Sequence, residues 1–325
     1  MRSATKTVRR ALAVLAIAAS AVTAAPAVGQ AAAVESPRIA GPAPLPGTIA
    51  GLAVDGSRIG VLTTDGRVFV KDGAVDSRGW VQQYEGATSL ALSGNRIGVI
   101  DRSGHAYVKE GSLFAGWVDE GGDALSIVLD GNRIGVVTSD HHAWVKEGSL
   151  TAGYFDVAVN GNALSLALSG TRIGVLTSEH HAWVKEGAVT DVSHWVDMGS
   201  DANATALVLN GRRIGVITTD GHAWVKEGAV GDLTNWFDVA GNGNALALVL
   251  NGQRIGVITS DHHAAVKEGA VADFTNWFDV AGNGNAVALV LNGLRIGVLT
   301  SDHHAPVKEG AIANFTNWVD MGAEA

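Results

Sequence analysis

The sequence predicts an all-β fold made of seven tandem copies of one unit of about 40 residues. Three observations support this prediction. A tetrapeptide close to RIGV recurs seven times, and a second one close to VKEG follows each copy. Glycine is abundant at 42 residues, whereas proline is scarce at 6. Apolar residues show no helical period. A ring of seven four-stranded antiparallel sheets, a seven-bladed β-propeller, accommodates such an array.

The first 33 residues have the pattern of a secretory signal peptide. An apolar run over 11–25 follows four cationic residues, Arg2, Lys6, Arg9 and Arg10. Small-residue motifs come next, and we expect cleavage after Ala27 or Ala33. The run is shorter than the ~20 apolar residues of a membrane-spanning helix, so a membrane anchor is the less favoured alternative. We therefore expect a secreted, extracellular protein.

A proline- and alanine-rich lead-in is expected over 34–48, before the propeller at 49–325. An added edge strand on the last blade is the alternative for this lead-in. The blades are expected at about 49–86, 87–122, 123–161, 162–202, 203–243, 244–284 and 285–325.

Each unit is expected to contain four strands. In the unit around Arg213, Asn210-Gly211 and Asp220-Gly221 are hairpin signals between strands. The strands are apolar on both faces, which stacking of neighbouring units in a ring would bury. The first unit begins with its first strand and the last ends with its fourth, so the ring needs no strand exchange.

The charge and composition exclude several classes of partner. The formal net charge of −9 becomes −13 when the four cations of residues 1–33 are removed. An acidic surface repels phosphate backbones, so nucleic acid is excluded as a partner. The chain has no cysteine, and no later segment is apolar enough to span a bilayer. We expect a monomer without disulfides.

The repeat resembles known arrays. Its consensus, RIGV-x-T-x-D-x-x-A-x-VKEG, resembles repeat arrays of secreted bacterial proteins. Over residues 49–325 the architecture is also distantly similar to that of the tectonin- and tachylectin-like propeller lectins. This resemblance implies sugar binding but carries over no particular residue.

Ten of the eleven histidines lie at the predicted hairpin between the second and third strands. In a propeller these hairpins share one face with the segments that link successive blades, so we expect a histidine-bearing face there. The candidate ligand-binding histidines are His142, His181, His222, His263 and His304.

Two interpretations of this histidine-bearing face remain open. Imidazole binds zinc, copper and nickel, so a divalent metal there is one alternative. The other is that these residues serve the turn conformation alone. One slot of the hairpin holds histidine in some units and Gly104 or Gly221 in others, which indicates a positive φ there. That slot holds His141, His180, His262 and His303. We assign no metal ligand and predict no cofactor.

The repeated arginine and glutamate predict a contact between blades. If Asp140 and His141 are the two central residues of the turn, Ile134 lies opposite Glu147 and Arg133 lies on the other sheet face. An Arg–Glu ion pair would then join neighbouring blades. A repeated sugar site between blades is the alternative.

Aromatic residues recur in two places. Regular recurrence on the fourth strand indicates packing, by Trp80, Trp117, Phe155, Trp195, Trp236, Trp277 and Trp318. The third-strand position is less regular, because Ala265 and Pro306 replace its aromatic residue in the last two units. Folding therefore does not require an aromatic there, which favours ligand contact. The candidates are Tyr107, Trp144, Trp183 and Trp224, with Phe69 at the same position of the first unit.

Catalytic motifs are missing from the sequence. It contains neither a G-x-S-x-G elbow nor an H-E-x-x-H pair, and no unit has an acid that breaks the repeat. We expect a secreted multivalent binding protein whose partners are glycans or other cell-surface components. An extracellular lyase or hydrolase using the histidine-bearing face is one alternative. A cell-surface protein-interaction module is the other.

Overall fold

The computed structural model describes residues 38–39, 45, 47–199 and 201–322. The expected signal peptide and most of the lead-in lie outside these residues. The described chain forms seven antiparallel sheets arranged in a ring, which confirms the seven-bladed propeller. None of its elements is a helix, so the described residues contain no helical membrane span.

The strands follow the repeat. A two-residue strand, β1 (Arg38–Ile39), precedes the blades. Blades 1 to 3 comprise β2 (Ile49–Asp55), β3 (Arg58–Thr63), β4 (Arg67–Asp72), β5 (Val81–Glu85); β6 (Ala87–Ser93), β7 (Arg96–Asp101), β8 (Ala106–Glu110), β9 (Val118–Gly121); β10 (Ala124–Asp130), β11 (Arg133–Thr138), β12 (Ala143–Glu147), β13 (Phe155–Asp156). Blades 4 and 5 comprise β14 (Ala163–Ser169), β15 (Arg172–Thr177), β16 (Ala182–Glu186), β17 (Val196–Asp197); β18 (Ala204–Asn210), β19 (Arg213–Thr218), β20 (Ala223–Glu227), β21 (Phe237–Asp238). Blades 6 and 7 comprise β22 (Ala245–Asn251), β23 (Arg254–Thr259), β24 (Ala264–Glu268), β25 (Phe278–Asp279); β26 (Ala286–Asn292), β27 (Arg295–Thr300), β28 (Pro306–Glu309), β29 (Val319–Asp320).

The first strand of each blade is innermost, and successive innermost strands contact one another around the ring. Strands β26 and β2 also contact each other, so whole blades close the ring. Strand β1 pairs with β5, the outer strand of blade 1, with Arg38 opposite Gln82. The lead-in thus adds its edge strand to the first blade and not to the last.

The glycine of RIGV lies where neighbouring blades approach most closely. A Cβ atom on Gly174 would lie 2.7 Å from Cδ2 of Leu207, on the innermost strand of the next blade. The same distance separates a Cβ on Gly297 from Leu52, across the closure of the ring. Since real Cβ atoms do not approach this closely, leucine packing between blades requires glycine here.

The expected Arg–Glu contact between blades is wrong, because the strand register differs by one residue. Arg133 lies directly opposite Glu147 on the neighbouring strand of its own blade, and their side chains form a 2.9 Å ion pair. The contact between blades uses the other side of the guanidinium. Nη2 of Arg133 donates to the carbonyl oxygen of Gly187 in blade 4, at 2.8 Å.

All seven repeat arginines make this bond to the next blade, and the last one closes the ring. Nη2 of Arg295 in blade 7 donates to the carbonyl of Gly73 in blade 1, at 2.6 Å. The side chains are almost completely buried. A charged group that is buried in this way needs partners, and the carboxylate of its own blade and the carbonyl of the next blade accept from Nε and Nη2.

The lysine of VKEG organises the loop before the outer strand. Nζ of Lys226 donates to the carbonyls of Ala229 and Asp232 and lies 5.8 Å from the ring centroid of Trp236. Burial lowers the pKa of Lys226. Each blade has an aromatic ring over this ammonium, one residue before its outer strand. In blade 3 this ring belongs to Tyr154. The expectation that Phe155 takes the place of the tryptophan in that blade is therefore wrong by one residue.

Candidate ligand-binding face

The hairpins that carry the histidines and the segments that link successive blades share one face. Backbone hydrogen bonds join them: Ala163 N donates to His141 O, and Ser139 N donates to Asp123 O, both at 2.8 Å. Each hairpin therefore contacts the linking segments on both of its sides. We call the surface formed by residues 139–142 and their equivalents in the other blades the histidine face.

The first histidine of each pair has a structural role. His141, His180, His262 and His303 have φ between 63° and 69°, which confirms the expected positive φ. Their Nδ1 atoms donate to the carbonyl of the residue that starts the next innermost strand, for example His180 to Ala204 at 3.0 Å. In blade 7, His303 donates to Ile49, so this bond too closes the ring.

The second histidine pairs with an aspartate of the outer strand. Nδ1 of His142, His181, His222 and His263 lies 2.5 to 2.6 Å from Oδ2 of Asp156, Asp197, Asp238 and Asp279. His304 pairs with Asp320 in the same way, whereas His105 lies 3.5 Å from Asp119. When Nδ1 carries the proton, Nε2 is left as a hydrogen-bond acceptor or metal ligand. The aspartate bond raises the pKa of His222, His263 and His304.

The candidate aromatic residues lie beside these pairs. Trp144 is directly opposite Asp156, and its ring centroid lies 6.0 Å from that of His142. Trp183 and Trp224 repeat this arrangement, at 5.9 Å from His181 and 6.1 Å from His222. Trp224 is 37% exposed, and Trp144 and Trp183 are partly exposed. Blades 3, 4 and 5 thus each contain a Trp–His–Asp cluster.

The other blades depart from this cluster in different ways. Blade 2 has Tyr107 beside His105, but Tyr107 contacts Tyr84 and burial raises its pKa. Blades 6 and 7 keep the His–Asp pair but have Ala265 or Pro306 opposite the aspartate. In blade 1 the aromatic residue is the buried Phe69.

The sequence interpretation missed the aspartate of each cluster. The recurring acid after an aromatic residue was visible, but nothing local connects it with a histidine some 15 residues earlier. The pairing follows only from the register of the third and outer strands.

The second residue missed is Glu120, which breaks the repeat. Its buried carboxylate contacts Lys146 and accepts a 2.9 Å hydrogen bond from Tyr154, between blades 2 and 3.

Hairpin acids add negative charge to the histidine face. Asp140, Glu179 and Asp220 are exposed, in blades 3, 4 and 5. The Thr138 hydroxyl donates to Asp140 at 2.6 Å, and the Thr218 hydroxyl to Asp220 at 2.5 Å. These bonds lower the pKa of both carboxyls, and backbone hydrogen bonding lowers that of Glu179. Within 47–199 and 201–322, no three histidine or acidic side chains converge as a metal-binding group.

Comparison with known proteins places the chain by fold alone. No protein-family profile and no curated sequence matches it. Hsv2 of Kluyveromyces lactis superposes with a TM-score of 0.56 at 13% identity, over 81% of this chain and 93% of that one. A chain of the Mitotic Checkpoint Complex gives 0.61 at 12%, over 90% and 99%. Prp20p of Saccharomyces cerevisiae, described with its binding to Gsp1p and histones, gives 0.51 at 10%, over 68% and 72%.

Proposed function

We propose that the protein is a secreted, multivalent carbohydrate-binding protein whose sites are the Trp–His–Asp clusters of blades 3, 4 and 5. The propeller fold fits a binding or interaction module. The finer assignment to carbohydrate rests on one observation, the threefold recurrence of an accessible tryptophan beside a hydrogen-bonded His–Asp pair. Blades 6 and 7 are built without that tryptophan, so the blade itself does not need it.

The chemistry of the cluster suits a sugar ring. An indole face packs against the apolar C–H face of a pyranose, while polar groups at its edge bond the hydroxyls. The aspartate can accept hydrogen bonds, and the imidazole can accept or donate depending on its protonation. Three shallow sites on consecutive blades of one rigid ring would add their weak affinities by avidity. A surface with many glycan ends is the partner that such an arrangement favours.

A glycan array with the purified protein tests this proposal. We expect binding to a coherent set of glycans, and loss of that binding in the triple variant Trp144→Ala, Trp183→Ala, Trp224→Ala. The natural Ala265 of blade 6 occupies the same position, so the variant should keep its fold and its circular dichroism spectrum. A matched control, Phe155→Ala, removes an exposed aromatic residue whose side chain faces away from the cluster. Absence of binding to any glycan would remove the carbohydrate assignment.

A second candidate, a protein-interaction module, is favoured by apolar residues at the mouth of the central channel. Leu125, Leu164 and Leu246 are 48%, 43% and 39% exposed, at the bulge that starts three innermost strands. Among the similar propellers, one is a chain of the Mitotic Checkpoint Complex, and Prp20p is described with its binding to Gsp1p and histones. Serine at these three positions should then abolish a protein contact and leave glycan binding unchanged.

A further inference from the structure

Within 47–199 and 201–322, the protein buries most of its arginine and lysine side chains. All seven lysines after residue 33 belong to VKEG and are 0–3% exposed, and the seven RIGV arginines are at most 7% exposed. In these same two ranges, the exposed or partly exposed arginine and lysine side chains are those of Arg67, Arg78, Arg102 and Arg212. Arg67 is already paired with Asp65. The acidic side chains have no such preference for the interior, so the surface is more negative than the net charge indicates.

The negative charge is present at the proposed sugar sites. Each Trp–His–Asp cluster has an aspartate opposite its indole and an exposed acid on the adjoining hairpin: Asp156 and Asp140 in blade 3, Asp197 and Glu179 in blade 4, Asp238 and Asp220 in blade 5. No exposed arginine or lysine belongs to these three hairpins. An anionic ligand would meet uncompensated repulsion at all three clusters.

The chain already surrounds its own lysine ammonium groups with an aromatic ring and oxygen atoms. The buried ammonium of Lys185 lies 5.7 Å from the ring of Trp195 and also contacts backbone oxygens, and six other blades repeat this arrangement. An indole face attracts a cation through its quadrupole, and oxygens complete the coordination of the ammonium protons. The Trp–His–Asp clusters present an indole face, and the adjoining hairpins present the exposed carboxylates of Asp140, Glu179 and Asp220, without a lysine of their own.

We propose that the clusters of blades 3, 4 and 5 select glycans that carry free amino groups, as in polymers of glucosamine, over neutral or acidic glycans. This inference rests on the proposed carbohydrate function and names its ligand class. The indole would pack on the sugar ring, the ammonium would face the exposed hairpin carboxylate, and the largely buried aspartate of the cluster would add to the negative field. Uronic acids and sulfated sugars would be disfavoured, because each site holds two carboxylates against one imidazole and no arginine or lysine.

Isothermal titration calorimetry with two matched ligands tests the selection. One is an oligomer of β-1,4-linked glucosamine, and the other is its fully N-acetylated form of the same length, so they differ only in carrying an ammonium or an acetamide on each sugar. At a pH about one unit below the pKa of that amine, we expect the amine form to bind at least about tenfold more tightly. The preference should shrink when salt is raised from about 0.05 M to about 0.5 M, because screening weakens exposed charge pairs.

A pair of double variants separates the clusters from the general negative field. Glu179→Gln with Asp220→Asn removes two hairpin acids beside tryptophans, and keeps the oxygens that accept from Asn162 and Thr218. Asp261→Asn with Asp302→Asn removes the same charge in blades 6 and 7, which lack the aromatic residue. We expect the first variant to lose most of the amine preference and the second to keep it. Equal losses in both variants would overturn the assignment to the clusters.

The remaining outcomes distinguish this inference from the function on which it rests. Tighter or equal binding of the N-acetylated oligomer would overturn the amine selection and leave the carbohydrate function in place. Binding of neither oligomer, together with an empty glycan array, would overturn both. Oligolysine of the same charge is the control for basic peptides, and if it binds as tightly as the glucosamine oligomer, the ligand is not specifically a glycan.

Discussion

The two adjacent histidines of a hairpin differ in what fixes their Nδ1 atoms. His262 donates to the carbonyl of Ala286 in the next blade, whereas His263 donates to Asp279 of its own blade. A carbonyl acceptor holds the first ring in place as part of the fold. A carboxylate acceptor stabilises the protonated form of the second ring, and the bond to Asp279 raises the pKa of His263.

Asp238→Asn should lower the pKa of His222. The hydrogen bond and charge of Asp238 raise that pKa in the folded protein, so its contribution to stability is complete below the unfolded value of about 6.5. The contribution is lost as the pH rises through the folded pKa. The stability difference between the native protein and the variant should therefore be largest in mild acid. An NMR titration of the imidazole and urea unfolding at two pH values measure both effects.

Asp273→Asn is the matched control for this experiment. Asp273 lies in the loop before the outer strand of blade 6, and it caps Thr275 instead of pairing with a histidine. Its substitution should leave the titration of His222 unchanged. An unaltered titration in Asp238→Asn would mean that the pair does not form in solution.

The hairpin between the second and third strands shows how far an element could be predicted. Its place in the repeat and its positive φ were predicted, because glycine and histidine alternate at one slot. Its length was not. Thr138 and His142 exchange the last ladder bond, so three residues form the loop instead of two. One added residue moves every following side chain by one place in the register, which is why Arg133 faces Glu147.

The positive φ of His180 predicts different effects on stability for its substitution by glycine and by valine. His180→Gly should change the free energy of unfolding by less than about 1 kcal/mol, since glycine relieves the backbone strain while the bond to Ala204 is lost. Gly104 and Gly221 already occupy this slot in blades 2 and 5. His180→Val loses the same bond and places a β-branched residue at φ 66°, so we expect a loss of about 2 kcal/mol or more. Urea unfolding of both variants measures the difference, and equal stabilities would contradict the assigned conformation.

At the scale of the whole molecule, the ring closes through the contacts that join any two blades. Asn292 Oδ1 accepts from Gly56 N at 2.9 Å, just as Asn251 accepts from Gly293 N at 2.7 Å. The Arg295–Gly73 and His303–Ile49 bonds repeat two further contacts at the same junction. Because no strand is exchanged, the seventh interface is held by side chains and packing alone. The repeat predicted this closure, but the fifth strand on blade 1 depends on the lead-in, which has no repeat to indicate its partner.

Removing blade 7 should therefore disrupt the fold more than replacing it with a second copy of blade 6. Deletion of residues 285–325 exposes the apolar faces of blades 1 and 6, including Leu52 and Ile258, and removes both interfaces of the missing blade. We expect this truncated chain to associate, as seen by size-exclusion chromatography, and to lose a single cooperative unfolding transition.

A second copy of residues 244–284 in place of 285–325 restores the arginine, the glycine, the His–His pair and the asparagine of the closing contacts. That chain should remain monomeric and unfold cooperatively, since each interface needs only what every repeat provides. If the duplicated blade fails like the deletion, the closing interface depends on residues particular to blade 7, and the seven interfaces are not equivalent.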